Sequence, residues 1–142
     1  MTTKILYSTT ARATGGRDGK AATLDGSFAV ALGTPTELGG NGAGNNPEQL
    51  FASGYAACFL GAMKFAASQD KALPRVPADT AVEVTVGIGP RSDKGFGLAV
   101  KLLVSLPGVD RDATAALVAE ADTICPYSHA TRGNIDVAIS IA

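Results

Sequence analysis

The chain has 142 residues, 46% of them hydrophobic and only 18% charged, with a formal net charge of −1. This is the composition of a single globular domain over residues 1–142, long enough to bury a core without disulfide staples and unlike a disordered segment. No basic stripe points to nucleic acid, no apolar run is long and clean enough to span a bilayer, and MTTKILYSTTARATGG lacks the apolar stretch of a signal peptide; the expectation is a cytoplasmic protein with no nucleic-acid or membrane partner.

In chain order, KILYSTTAR (4–12) is rich in Ile, Tyr and Thr and predicts a strand, followed by turn chemistry in ATGGRDGKA. AATLDGSFAVAL predicts two short strands about Asp25-Gly26. The Gly-rich GTPTELGGNGAGNN is a connector; no Gly-Lys-Ser/Thr ends it, so it is not a phosphate-binding P-loop. Asn46 as N-cap, Pro47 at the first helical position and Gln49 as the reciprocal partner then mark a helix from 47 to about 70. Between Leu50 and Ala67 that helix is apolar on nearly every face, which predicts burial all round. One face of one small sheet cannot supply that cover, whereas a second copy of the chain would, and the low charge is consistent with self-association.

AVEVTVGIG and FGLAVKLLVSL alternate, with Val82, Val84, Val86 and Ile88 on one strand and Phe96, Leu98, Val100, Leu102, Val104 and Leu106 on the next. Joined by PRSDKG, they predict an antiparallel hairpin with one buried face. Asp110 can cap a second helix at about 111–123, with Ala113, Leu117, Ala121 and Ile124 on one stripe. Pro126 can start a short helical turn, and NIDVAISIA closes the chain as a strand. The expected architecture is α+β, mostly antiparallel sheet with two main helices.

The candidates for chemistry are few. One histidine, His129, and two distant cysteines do not make a metal-ligand set, so no metal is expected. His129 as a general base is weaker than His129 as an ordinary, partly exposed side chain, and no nucleophile-elbow pattern supports a Ser-His-Asp triad. Cys58 lies inside the oily GYAACFLGAM run and Cys125 directly precedes Pro126 at the end of an element. Each alone is more often structural than reactive. Together they suggest an attacking and a resolving thiol, and both readings stay open at this level.

An attacking thiol needs a low pKa, and an oily helix raises it, so a cation has to enter the site. Arg17 in the GGRDG turn is the candidate cation and Glu48 in the first helical turn the candidate anion to orient it. Their plainer readings are a solvated turn arginine and a carboxylate favoured by the helix dipole. Glu48 and Cys58 are about ten residues apart, roughly 15 Å along one helix, so Glu48 of a second, antiparallel copy is better placed to approach Cys58.

The blocks TGGRDG, NPEQLFASGYAACFLGAM and CPYSHATRGNIDV resemble the three signature blocks of the organic hydroperoxide resistance (Ohr) branch of the OsmC superfamily, and the likeness spans essentially the whole chain. His129 stands where that pattern favours Asn or another polar residue. The resemblance implies an OsmC-like α+β fold, with mostly antiparallel sheets wrapped around central helices in an intertwined homodimer with two sites at the subunit interface. It also implies a thiol-dependent peroxidase without metal, haem or flavin. Cys58 falls at the peroxidatic position, Cys125 at the resolving one, and Arg17 and Glu48 at the pair that activates the thiolate and positions the peroxide. The implied substrates are alkyl or lipid hydroperoxides, and the implied reductant is an external dithiol of the dihydrolipoyl type, carried on a lipoylated protein. Phe51, Tyr55 and Phe59 are packing residues first and candidate pocket lining second. Two other readings compete: a redox sensor oxidised once without turnover, and an acyl-chain-binding module in which the cysteines are incidental.

Overall fold

The computed structural model describes residues 2–142, and its contacts divide the chain into two compact units, one ending at Leu50 and one spanning Phe51–Ala142.

The first unit is built on a three-stranded antiparallel sheet, β1 (Ala11–Thr14), β2 (Lys20–Thr23) and β3 (Ala29–Ala31), in the order β1-β2-β3. The expected strand over 4–12 is therefore displaced toward its C-terminal end. The β1–β2 ladder runs only from Thr14 opposite Lys20 to Ala11 opposite Thr23, with one further bond from the Leu24 N–H to the Thr10 carbonyl. Beyond Leu24 the chain turns at Asp25-Gly26, so β2 offers no backbone to pair with residues 4–9, and Ile5, Leu6 and Tyr7 are exposed. The expected β2–β3 hairpin is present. Asp25 Oδ1 closes its loop by accepting from the Ser27 N–H at 3.0 Å and the Thr23 hydroxyl at 2.7 Å.

Helix α1 (Pro47–Gln69) starts as the sequence predicts. Asn46 Oδ1 accepts from the Gln49 N–H at 2.9 Å and Gln49 Oε1 accepts from the Asn46 N–H at 3.0 Å, a reciprocal capping box with proline at the first helical position.

The second unit holds the core. Strands β4 (Ala81–Pro90) and β5 (Phe96–Ser105) form the expected antiparallel hairpin. The chain then passes through α2 (Arg111–Ile124) and α3 (Pro126–Thr131) before β6 (Val137–Ile141) pairs with β5 in parallel. A parallel neighbour needs a crossover connection rather than a turn, and the two helices supply it. Val100, Leu102 and Val104 of β5 are buried against Tyr55, Phe59 and Met63 of α1 and Leu117, Val118 and Ala121 of α2. Phe96, expected on the same buried face, is exposed at the hairpin end of β5, four positions before that face is covered at Val100.

Within one chain α1 is covered on one side only, which leaves its other faces to the second copy that the sequence reading calls for. Within this unit its buried residues are Tyr55, Phe59, Ala62, Met63 and Ala66, a single stripe at helical spacing. Ala57, Gly61 and Phe65 on another face are exposed, Phe65 at 54%. The single sheet of this unit has one inner face, and it covers one side of the helix.

Candidate active site

In the first unit, the GGRDG turn is shaped by its glycines. Gly15 and Gly16 take positive φ of 76° and 60°, and a Cβ on Gly19 would lie 1.7 Å from the Thr14 carbonyl oxygen. The resulting 3-10 turn over Gly16–Asp18 presents Arg17. Asp18 Oδ1 ties the turn to the following loop by accepting from the Thr34 N–H at 3.0 Å and its hydroxyl at 2.9 Å. Two bonds, Gly33 N–H to the Asn45 carbonyl and Asn45 N–H to the Ala31 carbonyl, then return the chain to the start of α1. That route brings Glu48 to Arg17. Nη1 donates to Oε2 at 2.9 Å and Nη2 to Oε1 at 2.6 Å, a two-bonded fork.

The pair fixes protonation on both sides. The hydrogen bond from Arg17 holds Glu48 below the ordinary glutamate value, and the same bond raises Arg17 further. The Arg17 side chain is 36% exposed, and an ion pair so open to solvent contributes at most about 1 kcal/mol to stability. A single buried core side chain such as Phe59 contributes about 1.5–3 kcal/mol, so the pair's consequence is the fixed direction of a permanently charged guanidinium rather than the strength of the fold.

In the second unit, Cys58 is half-buried on α1. Cys125 is fully buried where α2 hands over to α3, serving as C-cap of the first and N-cap of the second. Both are free thiols, and the Cys125 Sγ donates to the Cys58 Sγ at 3.7 Å. Burial pushes the Cys58 thiol above its ordinary value; the Tyr127 backbone N–H pulls it partly back, and the adjoining Cys125 thiol adds to the rise. The sequence argument that an oily helix raises the thiol pKa is thus repeated in the geometry.

On the helices that carry or adjoin the thiols, Phe51, Tyr55 and Tyr127 form a triangle of rings with centroids 5.7–6.1 Å apart in edge or tilted contact. Gly54 makes room for it, since a Cβ there would lie 2.8 Å from the Tyr127 hydroxyl. Phe51 is half-buried, whereas Tyr55 and Phe59 are fully buried core residues that present no surface within this unit. His129 is exposed in the last turn of α3, and among the described residues no three His, Cys, Asp or Glu side chains cluster as a metal-ligand set.

Sequence reasoning paired Arg17 with Glu48 and Cys58 with Cys125, and each pair is in contact in its own unit. It missed Asp18 and Thr34, which steady the arginine turn, the Tyr127 amide beside Cys58, and the buried hydroxyls of Ser128 and Thr131. Only the Cys125-Pro126 step, which announces a helix start, hinted that amides would gather there.

Residues 39–140 match the family model described as OsmC-like protein. Over 140 residues the chain is 51% identical to an organic hydroperoxide resistance protein of Xanthomonas axonopodis pv. citri, covering 98% of this chain and 96% of that one. It is also similar to the crystal structure of an organic hydroperoxide resistance protein from Legionella pneumophila, with a TM-score of 0.91, 44% identity and coverage of 98% and 99%. A third likeness is to an organic hydroperoxide resistance protein from Elizabethkingia anophelis with thiocyanate bound, with a TM-score of 0.90, 40% identity and coverage of 99% for both chains.

Proposed function

This chain belongs to the OsmC-like family, in its organic hydroperoxide resistance branch, and we propose that it is a cysteine-based peroxidase that reduces alkyl or lipid hydroperoxides to alcohols. The observation that carries this reading is the 3.7 Å approach of the Cys58 and Cys125 sulfurs, two residues far apart in sequence. A half-buried thiol with a fully buried one at its side suits a nucleophile and its resolving partner.

In the proposed cycle the Cys58 thiolate attacks one peroxide oxygen. An S–O bond forms, the O–O bond breaks, and the leaving alkoxide takes a proton to become the alcohol. Sulfur is oxidised by two electrons to the sulfenic acid. Cys125 then attacks that sulfur, forming the Cys58–Cys125 disulfide and releasing water. An external dithiol of the dihydrolipoyl type restores both thiols by exchange and is itself oxidised to a disulfide.

Because burial raises the Cys58 thiol, the thiolate needs a cation, and the proposed source is Arg17, held in direction by Glu48 and also donating to the peroxide. The protein acts as a homodimer in this proposal; the exposed face of α1 at Ala57, Gly61 and Phe65 is an apolar surface suited to a second copy. The cycle calls on no metal, haem or flavin, and cytoplasmic residence is part of the same proposal. Apolar groups beside Cys58, among them Ala56 and Ala57 on α1, favour an organic peroxide over hydrogen peroxide.

The test is a peroxidase assay comparing tert-butyl hydroperoxide, a fatty-acid hydroperoxide and hydrogen peroxide with dihydrolipoamide as reductant. Repeated turnover with preference for the organic peroxides supports the enzyme. One stoichiometric oxidation without turnover would make it a sensor, and no thiol oxidation would leave a binding module.

A further inference from the structure

Tyr55 lies one helical turn before Cys58 on α1, and Ser128 lies one turn after Cys125 in α3. The Tyr55 hydroxyl meets the Ser128 Oγ at 2.8 Å and the Thr131 Oγ1 at 3.3 Å, and the Thr131 hydroxyl also donates to the Ser128 carbonyl at 3.2 Å. Tyr55, Ser128 and Thr131 are all buried, at 0%, 3% and 5% exposure. The two elements that carry the thiols are therefore joined at two points, sulfur to sulfur and hydroxyl to hydroxyl. The pairing runs in opposite chain directions: 55 with 128, 58 with 125.

We propose that Tyr55 and Ser128 are positioning residues for the disulfide-forming step, a buried hydroxyl clamp that holds Cys125 in reach of Cys58. This rests on the peroxidase reading above. The core does not require these hydroxyls for apolar burial: a phenylalanine at 55 and an alanine at 128 would bury as well or better. A buried hydroxyl is costly unless satisfied, and these three satisfy one another, which fixes one relative placement of α1 and α3 rather than a range. The sulfurs stand at 3.7 Å and a disulfide needs about 2.05 Å, so the resolving step requires the sulfurs to approach by less than about 2 Å. Reactions of this kind lose rate steeply when the partners drift by about 1 Å.

In the resolving step the Cys125 sulfur forms a bond to the Cys58 sulfur, the S–O bond of the sulfenic acid breaks, and the oxygen leaves as water with the Cys125 proton. The competing fate is attack of the sulfenate sulfur on a second hydroperoxide: a second S–O bond forms, the O–O bond breaks, and sulfinic acid and a second alcohol result. The clamp acts on the ratio of these two outcomes and not on the first oxidation.

The experiment is a single-turnover oxidation of the reduced full-length protein by tert-butyl hydroperoxide. Acid-quenched mass spectrometry follows loss of the Cys58 thiol, appearance of the disulfide and appearance of the sulfinic acid, for the native protein, Ser128→Ala, Ser128→Thr and Tyr55→Phe. Ser128→Ala is expected to slow disulfide formation by about tenfold more than it slows thiol loss, with a matching rise in sulfinic acid at excess peroxide. Ser128→Thr, which keeps a hydroxyl, is expected to restore most of the native ratio, and Tyr55→Phe to reproduce the alanine phenotype. A native ratio in Ser128→Ala or Tyr55→Phe overturns the inference alone, as does an equal defect in Ser128→Thr and Ser128→Ala. If the native protein neither loses its thiol nor forms the disulfide, the peroxidase reading fails first and the clamp with it.

Discussion

Arg17 and Glu48, 31 positions apart, meet through two hydrogen bonds of 2.9 and 2.6 Å that join both guanidinium Nη atoms to both carboxylate oxygens. The geometry depends on a planar fork facing a planar carboxylate, which lysine cannot reproduce. For the proposed chemistry, Arg17→Ala is expected to lower kcat/KM for tert-butyl hydroperoxide by about 10² or more, the scale for removing a transition-state hydrogen-bond donor. Arg17→Lys should fall between the two. Unchanged steady-state kinetics in Arg17→Ala would remove the arginine from the site.

The acid limb of stability follows from the same pair. Glu48 is held below the ordinary glutamate value of 4.5, chiefly by the Arg17 hydrogen bond. A depressed carboxylate contributes its full stabilisation above that ordinary value and loses it as pH falls through the lower folded value. Urea unfolding from pH 6 down to pH 3 should show the native protein and Glu48→Gln converging as acid is added. A gap that stays constant with pH would show that the carboxylate does not titrate as the geometry requires.

The two thiols should fail differently. Cys58→Ser is expected to abolish peroxide consumption. Cys125→Ser should complete the first oxidation and then accumulate Cys58 sulfinic acid, seen as a 32 Da gain, because the buried partner 3.7 Å away is gone. Normal repeated turnover in Cys58→Ser would end the peroxidase reading.

The start of α1 offers a test of stability apart from function. Asn46→Ala deletes the side-chain acceptor of the Gln49 N–H and half of the capping box. The expected loss is about 1 kcal/mol, read as a lower urea midpoint with an unchanged m-value. An unchanged midpoint would show that another group caps the helix.

Local chemistry was legible in the sequence. Asn46, Pro47 and Gln49 start α1 because their bonds close within three residues; the alternation from Val82 to Val104 makes a hairpin because a strand's faces are set by its own period; Asp25-Gly26 turns the chain by bonds within the loop. The identities of Arg17, Glu48, Cys58 and Cys125 as candidates came from the same level, since charge and thiol chemistry belong to the residue. What the tertiary structure decided was extent, direction and pairing. The strand expected over 4–12 begins only at Ala11 because a ladder extends no further than its partner, and β6 lies parallel to β5 because two helices intervene. The oily helix buries one stripe because the second unit has one sheet face to offer it. The fork on Arg17, the 3.7 Å between the sulfurs and the meeting of Tyr55 with Ser128 all join residues more than thirty positions apart; no spacing rule reaches that far, and only the packed chain sets those distances.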